Sequence, residues 1–433
     1  MSGEPLYPAF DALSANNYPP LSFYAVGWLG RRLGDYLFAG RLLAFIGLFT
    51  SAVAVAAVVK RLSGRTLAAL VSGLLLLGYN AALYSGYVGI DDPQWFGHGI
   101  MLLGLLAFLA SEQRGWLFLL SAGLMVAAGF VKHLLLPIPL AATLWLLLYR
   151  REALALWLVT CAALLAAALA LCFAAYGSGF FEGVFRDARG WSSDRAFSHS
   201  GEWFETALPL LLLGALALPS AWRRAEGRLA VYYAAISAAL AIYVLGGAGT
   251  GMTAIFDLEI ALCLIVGLAI GQFDENGRSS PVEVGSSMAA RPGNAMWWGL
   301  LLALGLGLLL PVRLLEVREL WRGSERAREA AEVIDLLAKQ PGPVACEDLS
   351  LCYWAGKGFE IDFFLVGQKL EQGFIDPHVV TERLRAHYYA AIQTMAKDGS
   401  SSRLPPYINR EIADDYQVVR TGPEGAVLAP RRP

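Results

Sequence analysis

Asp91 and Asp92 stand side by side in the stretch Tyr87-Val88-Gly89-Ile90-Asp91-Asp92-Pro93-Gln94-Trp95-Phe96-Gly97-His98. One apolar run, 66–88, leads into them, and another, broken only by His98, leads away to Ser111. Two carboxylates in a short turn between segments of about membrane-crossing length are costly unless solvated or used, which marks them for function. A carboxylate so placed can deprotonate an acceptor hydroxyl or bind a divalent metal. Asp92 has a second reading, because Asp followed by Pro93 makes a good helix start, the acid as N-cap and Pro at the first helical position. Asp91 has no such alternative and is the first choice for chemistry. Lys132 closes another apolar run; its compact ammonium suits a phosphate, or it snorkels to the interface. His133 and His98 carry a tunable imidazole, against the commoner role of packing. Asp257 lies about one turn inside an apolar run that follows Gly246-Gly247-Ala248-Gly249-Thr250-Gly251, where a carboxylate needs a cation or a polar cavity.

The elements that position these groups belong to a membrane protein. Of 433 residues, 56% are hydrophobic and only 16% charged, and the mean hydropathy is +0.50; soluble domains carry about a quarter charged residues. The net charge of −2 gives no basic surface for nucleic acid. Apolar runs predict about ten spans: 36–59, 66–87, 94–111, 115–131, 134–149, 153–176, 206–221, 229–247, 252–271 and 296–313. Before them, Pro19-Pro20 opens a short apolar helix ending near Arg31–Gly34, too short to span and better read as interfacial. The chain therefore divides into an N-terminal segment 1–35, a transmembrane part 36–313 and a C-terminal part 314–433.

Loop charge orients the spans. One set of loops carries Lys60, Arg61, Arg65, Arg114, Arg150, Arg151, Arg223, Arg224, Arg228, Arg278 and Arg291, eleven basic residues; the alternate set carries four, Lys132, Arg186, Arg189 and Arg195. The first set faces the cytoplasm. Asp91, Asp92, the loop 177–205 and everything after Arg313 then face outward, with the chain in the inner (plasma) membrane. Met1 also falls outside without a signal peptide, so the expectation is that a first span and loop are missing from this chain. Loop 177–205 mixes aromatics with Arg186, Arg189 and Arg195; it reads as an interfacial aromatic belt or as a cover over an anionic lipid-linked substrate. Residues 273–295 read as a flexible linker.

The C-terminal part reads as a small α/β or α+β domain. Helix is expected at 319–339 and 382–397, a strand at 343–346, a helix after Ile361, and a closing hairpin at 416–419 and 426–428. Glu347-Asp348 reads as a helix cap rather than a catalytic pair. Cys161, Cys172 and Cys263 lie in apolar runs as packing residues; Cys346 and Cys352 can bond if this part is outside the cytoplasm, which spacing alone does not show.

On the assigned topology Arg41, Asp91, Asp92, His98, Lys132, His133, Asp257 and Glu259 all fall near the outer ends of their spans. A transporter would place such groups at mid-membrane, with internal repeats, and the sequence has no such repeat. Tyr18-Pro19-Pro20-Leu21, then Arg41-Leu42 at the head of a span, Asp91–Pro93 and Lys132 resemble the C-type (GT-C) integral membrane glycosyltransferases, closest to the protein O-mannosyltransferase and aminoarabinose-transferase-like group (glycosyltransferase family 39-like). The resemblance implies an all-α polytopic bundle and a sugar drawn from a polyprenyl-phosphate donor at the outer face, passed to a glycan, lipid or protein acceptor. It matches Asp91 to the second-loop acidic residue and Lys132 to a lysine near the donor phosphate. The family's first-loop carboxylate has no counterpart here, and Asp11 is no substitute. The expected catalytic residues are Asp91 and Asp92; the expected substrate-binding ones are Lys132, His133, His98, Asp257 and Tyr18. No cofactor is required beyond a possible divalent metal at Asp91. The rival expectation is a non-enzymatic polytopic protein, such as a transporter or envelope-assembly partner, or an inactive shortened glycosyltransferase.

Overall fold

The computed structural model describes residues 5–112, 114–186, 189–278 and 327–431. They fall into two compact units: Tyr18–Ala174 with Ser192–Leu314, and Met1–Asn17 with Ala175–Trp191 and Leu315–Pro433. The helices run α1 (Pro20–Leu33), α2 (Tyr36–Ser63), α3 (Thr66–Leu83), α4 (Gln94–Ala110), α5 (Trp116–Val131), α6 (Pro137–Tyr149), α7 (Arg151–Tyr176), α8 (Ser178–Phe185), α9 (Ser193–Trp222), α10 (Ala225–Leu245) and α11 (Phe256–Arg278). Among the described residues, six helical segments are long and apolar enough to cross a membrane: α2, α3, α7, α9, α10 and Met252–Gln272. α4, α5 and α6 are shorter apolar helices. The first unit is thus an all-α polytopic bundle, and nine of the ten expected spans coincide with a helix; the tenth, 296–313, and most of the linker lie outside the described residues.

Local chemistry sets the helix ends. Pro20 opens α1 and Gly34, at φ 79°, closes it in the left-handed conformation that glycine adopts without strain. Asp35 then caps α2, its carboxylate accepting from the Phe38 amide at 3.0 Å. Within the bundle the spans differ in what they face. In α11, 89% of the apolar window is buried; in α7, 6%. α11 is therefore the hub of the bundle, while α7 presents almost all of its surface outward. That hub position leaves Asp257 and Glu259, in the first turn of α11, no route to lipid or solvent.

α2 and α4 cross closely because glycines line the contact. A Cβ at Gly47 would strike the Trp95–Phe96 peptide, and one at Gly99 would come within 3.2 Å of the Gly47 carbonyl oxygen. Small residues let helix backbones approach in this way where no hydrophobic effect drives association. The loop expected at 177–205 is instead mostly helical, α8 followed by the first turns of α9. Ser192, accepting from the Arg195 amide, starts α9 well before its apolar stretch, which a hydropathy reading of 206–221 does not see.

The second unit contains a four-stranded sheet of β1 (Val344–Cys346), β2 (Ala391–Thr394), β3 (Tyr416–Gly422) and β4 (Gly425–Pro430), in the order β1-β2-β4-β3. β1 and β2 pair in parallel with Val344 opposite Ala391; β4 is antiparallel to both its neighbours. The expected strand and closing hairpin are present, and residues 327–338 are helical as expected. The helix expected over 382–397 is a correction. The chain is helical over Pro377–Arg385, turns at His387 with φ 49°, and enters β2, whose four residues are all buried. Burial on both faces removes the alternation that would announce a strand. Asp348 caps the helix Leu349–Trp354, whereas Glu347 accepts from the Met395 amide and the Ser401 hydroxyl. Cys346 and Cys352 form a disulfide.

The glycine contact yields a matched test. Gly47→Ala must push α2 off the Trp95–Phe96 peptide, an overpacking cost of about 1–3 kcal/mol. Gly78→Ala meets nothing within 4 Å. The melting temperature of the detergent-purified protein should fall for Gly47→Ala and hold or rise slightly for Gly78→Ala.

Candidate active site

The turn between α3 and α4 carries both aspartates. Asp92 does two jobs at once. Its Oδ1 accepts from the Gln94 amide at 2.7 Å, capping α4 one residue later than Pro93 would suggest. The same carboxylate receives Lys132 Nζ at 2.9 Å on Oδ1 and 3.1 Å on Oδ2. Lys132 sits at the C-cap of α5, whose last turn holds its backbone through a bond to the Ala128 carbonyl. Its side chain is 5% exposed, so it turns inward onto Asp92 and does not snorkel. The Tyr18 ring, two residues before α1, lies 5.4 Å from Nζ, within cation–π range. Asp92, Lys132 and Tyr18, far apart in sequence, thus form one group. His133 is half-buried in the turn after Lys132.

Asp91 points the other way, onto α2. A Cβ at Gly40 would overlap its carboxyl group, so only glycine at 40 allows the acid to lie on the helix backbone. Among the described residues no hydrogen bond or ion pair ties the carboxylate down. Desolvation by this contact pushes its pKa up from 3.8 to about 6; the Arg41 guanidinium pulls it back, and Asp92 and Asp35 push it further up. Asp91 is exposed by surface area, yet one side of it is pressed against backbone, and the raised value follows from that side. An acid poised near neutrality and open on one side is suited to proton exchange with a substrate hydroxyl. No three His, Cys, Asp or Glu side chains converge as a metal site among the described residues.

His98 and Asp257 form a second group, deeper in the bundle. His98 Nδ1 bonds the Gln94 carbonyl at 3.0 Å, and Nε2 lies 3.2 Å from Asp257 Oδ2 without hydrogen-bond alignment. Asp257 Oδ1 accepts from the Tyr233 hydroxyl at 2.7 Å. Trp95 stacks on Phe256 at 4.6 Å, closing the space around them. His98 is wholly buried, so neither imidazole nitrogen faces an open site. Glu259, also buried, accepts from Asn80 Nδ2 at 3.4 Å. Tyr233 and Gly40 are the members that the sequence reading missed. A tyrosine in an apolar span, and a glycine one turn from a capped helix start, were the signals available. Gln94 joins the two groups, its amide to Asp92 and its carbonyl to His98, so a continuous polar chain runs from Lys132 to Tyr233.

No family model and no curated protein sequence matches the chain. Solved structures do. The chain is similar to ArnT from Cupriavidus metallidurans in the apo state, with a TM-score of 0.59 and 17% identity, covering 99% of this chain and 90% of that one. It is equally similar to the same protein bound to undecaprenyl phosphate, with a TM-score of 0.61 and 16% identity over the same shares. At this identity the likeness establishes a shared fold: the chain has the architecture of an ArnT-type membrane protein, as the sequence resemblance implied.

The Lys132–Asp92 pair can be weighed by a double-mutant cycle. Lys132→Met leaves Asp92 with only the Gln94 amide, whereas Asp92→Asn keeps an acceptor for that amide. Residues in direct contact couple by about 0.5–3 kcal/mol. Denaturant titration of the purified protein should therefore find the double variant more stable than the two single losses sum to; strict additivity would mean the pair contributes nothing.

Proposed function

We propose that this chain is a membrane glycosyltransferase that moves a sugar from a polyprenyl-phosphate donor to an acceptor hydroxyl at the outer face of the inner membrane. The observation that carries the reading is the grouping, at one end of a bundle with the ArnT fold, of a near-neutral carboxylate, Asp91, with two cations, Arg41 and Lys132. The ArnT structure with undecaprenyl phosphate bound supports a donor of the same lipid class.

The reaction is a displacement. The acceptor oxygen bonds to the anomeric carbon, and the bond from that carbon to the phosphate oxygen breaks. Polyprenyl phosphate leaves with the electron pair, and the hydroxyl proton passes to Asp91. General-base help of this kind contributes about 10²–10⁴-fold. Charge grows on the departing phosphate, and fixed cations in a water-poor site stabilise it. Lys132 serves here with the donor proton left over from Asp92, and Arg41 from the head of α2. Asp92 acts by holding Lys132 and the start of α4. Tyr18 shields the ammonium from water, and His133 lies next along the chain. His98 and Asp257 fasten α4 to α11 from below and position the turn without touching the donor.

Two observations support an outward-facing site: the eleven-to-four split of basic residues between alternate loops, and the Cys346–Cys352 disulfide, which suits an oxidising compartment for the C-terminal unit.

The pH dependence carries a definite sign. Asp91 takes the proton only as a carboxylate, so transfer should rise with pH through about 6. Asp91→Asn should abolish transfer from a polyprenyl-phosphate sugar at every pH while expression and folding hold. Stability runs the opposite way: because the folded state binds this proton more tightly than the unfolded one, the Asp91 contribution weakens as pH rises from 3.8 to about 6. A wild-type rate in Asp91→Asn would remove Asp91 from the chemistry. For orientation, a reporter active only outside the cytoplasm should work when fused after Pro433 and fail when fused at Arg224.

A further inference from the structure

α2 starts beside Asp91 and ends at Ser63, about 42 Å away for 28 residues at 1.5 Å each. At that far end the helix termini enclose a cavity of about 530 Å³. Its inner wall is apolar and aromatic, with Phe108, Phe118, Trp145 and Leu156; its rim carries Arg61, Arg150 and Arg224 with Glu112 and Glu226. Arg150 is taken by Glu112 at 2.7 Å and by Glu152 at 3.4 Å. Arg61 has no carboxylate partner among the described residues: its Nε and Nη2 both go to the Leu109 carbonyl, at 3.2 and 3.0 Å. That grip fixes the guanidinium plane and leaves Nη1 and a full positive charge at the mouth. Arg61 is thus a rim cation that no carboxylate among the described residues answers.

One wall of the cavity is the start of α7, the helix that presents nearly all of its surface outward, and Leu156 is 56% exposed there. The slot running inward from the cavity, past Leu105 and Ile138, has only about 10 Å³ and admits no hydrocarbon chain. A ligand must therefore keep its polar part under the arginines and its tails along the outer face of α7. We infer that this cavity is a binding site for the phosphodiester head group of an anionic membrane lipid, in the leaflet opposite the Asp91 end. Basic pockets between membrane helices suit such head groups, and a pre-oriented guanidinium is the side chain that best fits a phosphate.

The test uses the full chain in detergent, titrated with phosphatidylglycerol, phosphatidylcholine or inorganic phosphate, and read by native mass spectrometry and melting temperature. Phosphatidylglycerol should be retained and should raise the melting temperature; phosphatidylcholine should do so at least tenfold more weakly. Arg61→Gln should weaken phosphatidylglycerol at least tenfold, while Arg61→Lys, which keeps the charge but loses the guanidinium held on Leu109, should fall between Arg61→Gln and wild type. Ala153→Trp, which fills the cavity from the α7 wall without touching a charge, should also abolish retention and provides the reading if Arg61→Gln folds poorly. Sugar transfer plays no part in these readouts, so they stand apart from the proposed reaction. Unchanged phosphatidylglycerol binding in Arg61→Gln and Ala153→Trp would overturn the assignment. So would equal retention of phosphatidylcholine, or equal protection by inorganic phosphate, which would make the cavity a site for free anions.

Discussion

A charge enclosed by membrane helices must be answered by a group of the same bundle, because neither lipid nor distant water will solvate it. At the Asp91 end of this bundle the answers come as a chain. Lys132 meets Asp92, Asp92 caps Gln94, Gln94 holds His98, His98 faces Asp257, and Asp257 takes the Tyr233 hydroxyl. The chain ties α5, α4, α11 and α10 together. Removing one member leaves its neighbour's charge buried, a far larger penalty than the net worth of any single bond. The first turn of α4 is fixed from above and below as a result, and with it the position of the loop that carries Asp91.

Fixing the turn is what lets one carboxylate stay uncommitted. Asp92 is consumed by structure, as cap and counter-ion together. Asp91, its neighbour, sits on the opposite side of the turn, against the bare backbone at Gly40 and within the field of Arg41. The two acids differ by one position in sequence and by everything in environment, and burial against α2 is what raises the proton affinity of Asp91. The remainder of the bundle serves the same end: α11 is enclosed by its neighbours, and the glycine-lined crossing of α2 and α4 brings the head of α2 within reach of the turn.

Much of this was legible in the sequence. Apolar run length located nine helices, since a span must be both long and free of charge, and rare ionisable residues at span ends pointed to the groups that the structure brings together as Asp92 with Lys132 and His98 with Asp257. For Asp92 the structure shows a bond from the Gln94 amide at the start of α4 and, beyond it, Lys132 as a counter-ion. The pairing of Lys132 with Asp92, forty residues apart, could not be read, since nothing in either neighbourhood names the other. His98 and Asp257 were recognisable as expensive, but only packing shows that each is the other's answer. In the second unit, β2 was taken for helix because a strand buried on both faces loses its two-residue rhythm and is flanked by charged helical sequence. Ser192 hid the start of α9 in the same way: a polar cap and polar first turns look like loop until the backbone is seen.

The contact between Gly40 and Asp91 also constrains descent. A Cβ at 40 would fall on the Asp91 carboxyl group where it now lies, so the acid keeps this place only beside glycine. A lineage that acquires alanine or larger at 40 must swing the acid off the α2 backbone and loses the contact that raises its proton affinity. Glycine one turn beyond an aspartate-capped helix start, paired with Asp-Asp-Pro some fifty residues later, is therefore a pattern by which proteins sharing this fold at 16–17% identity can be compared, position by position, for the acid that lies on α2.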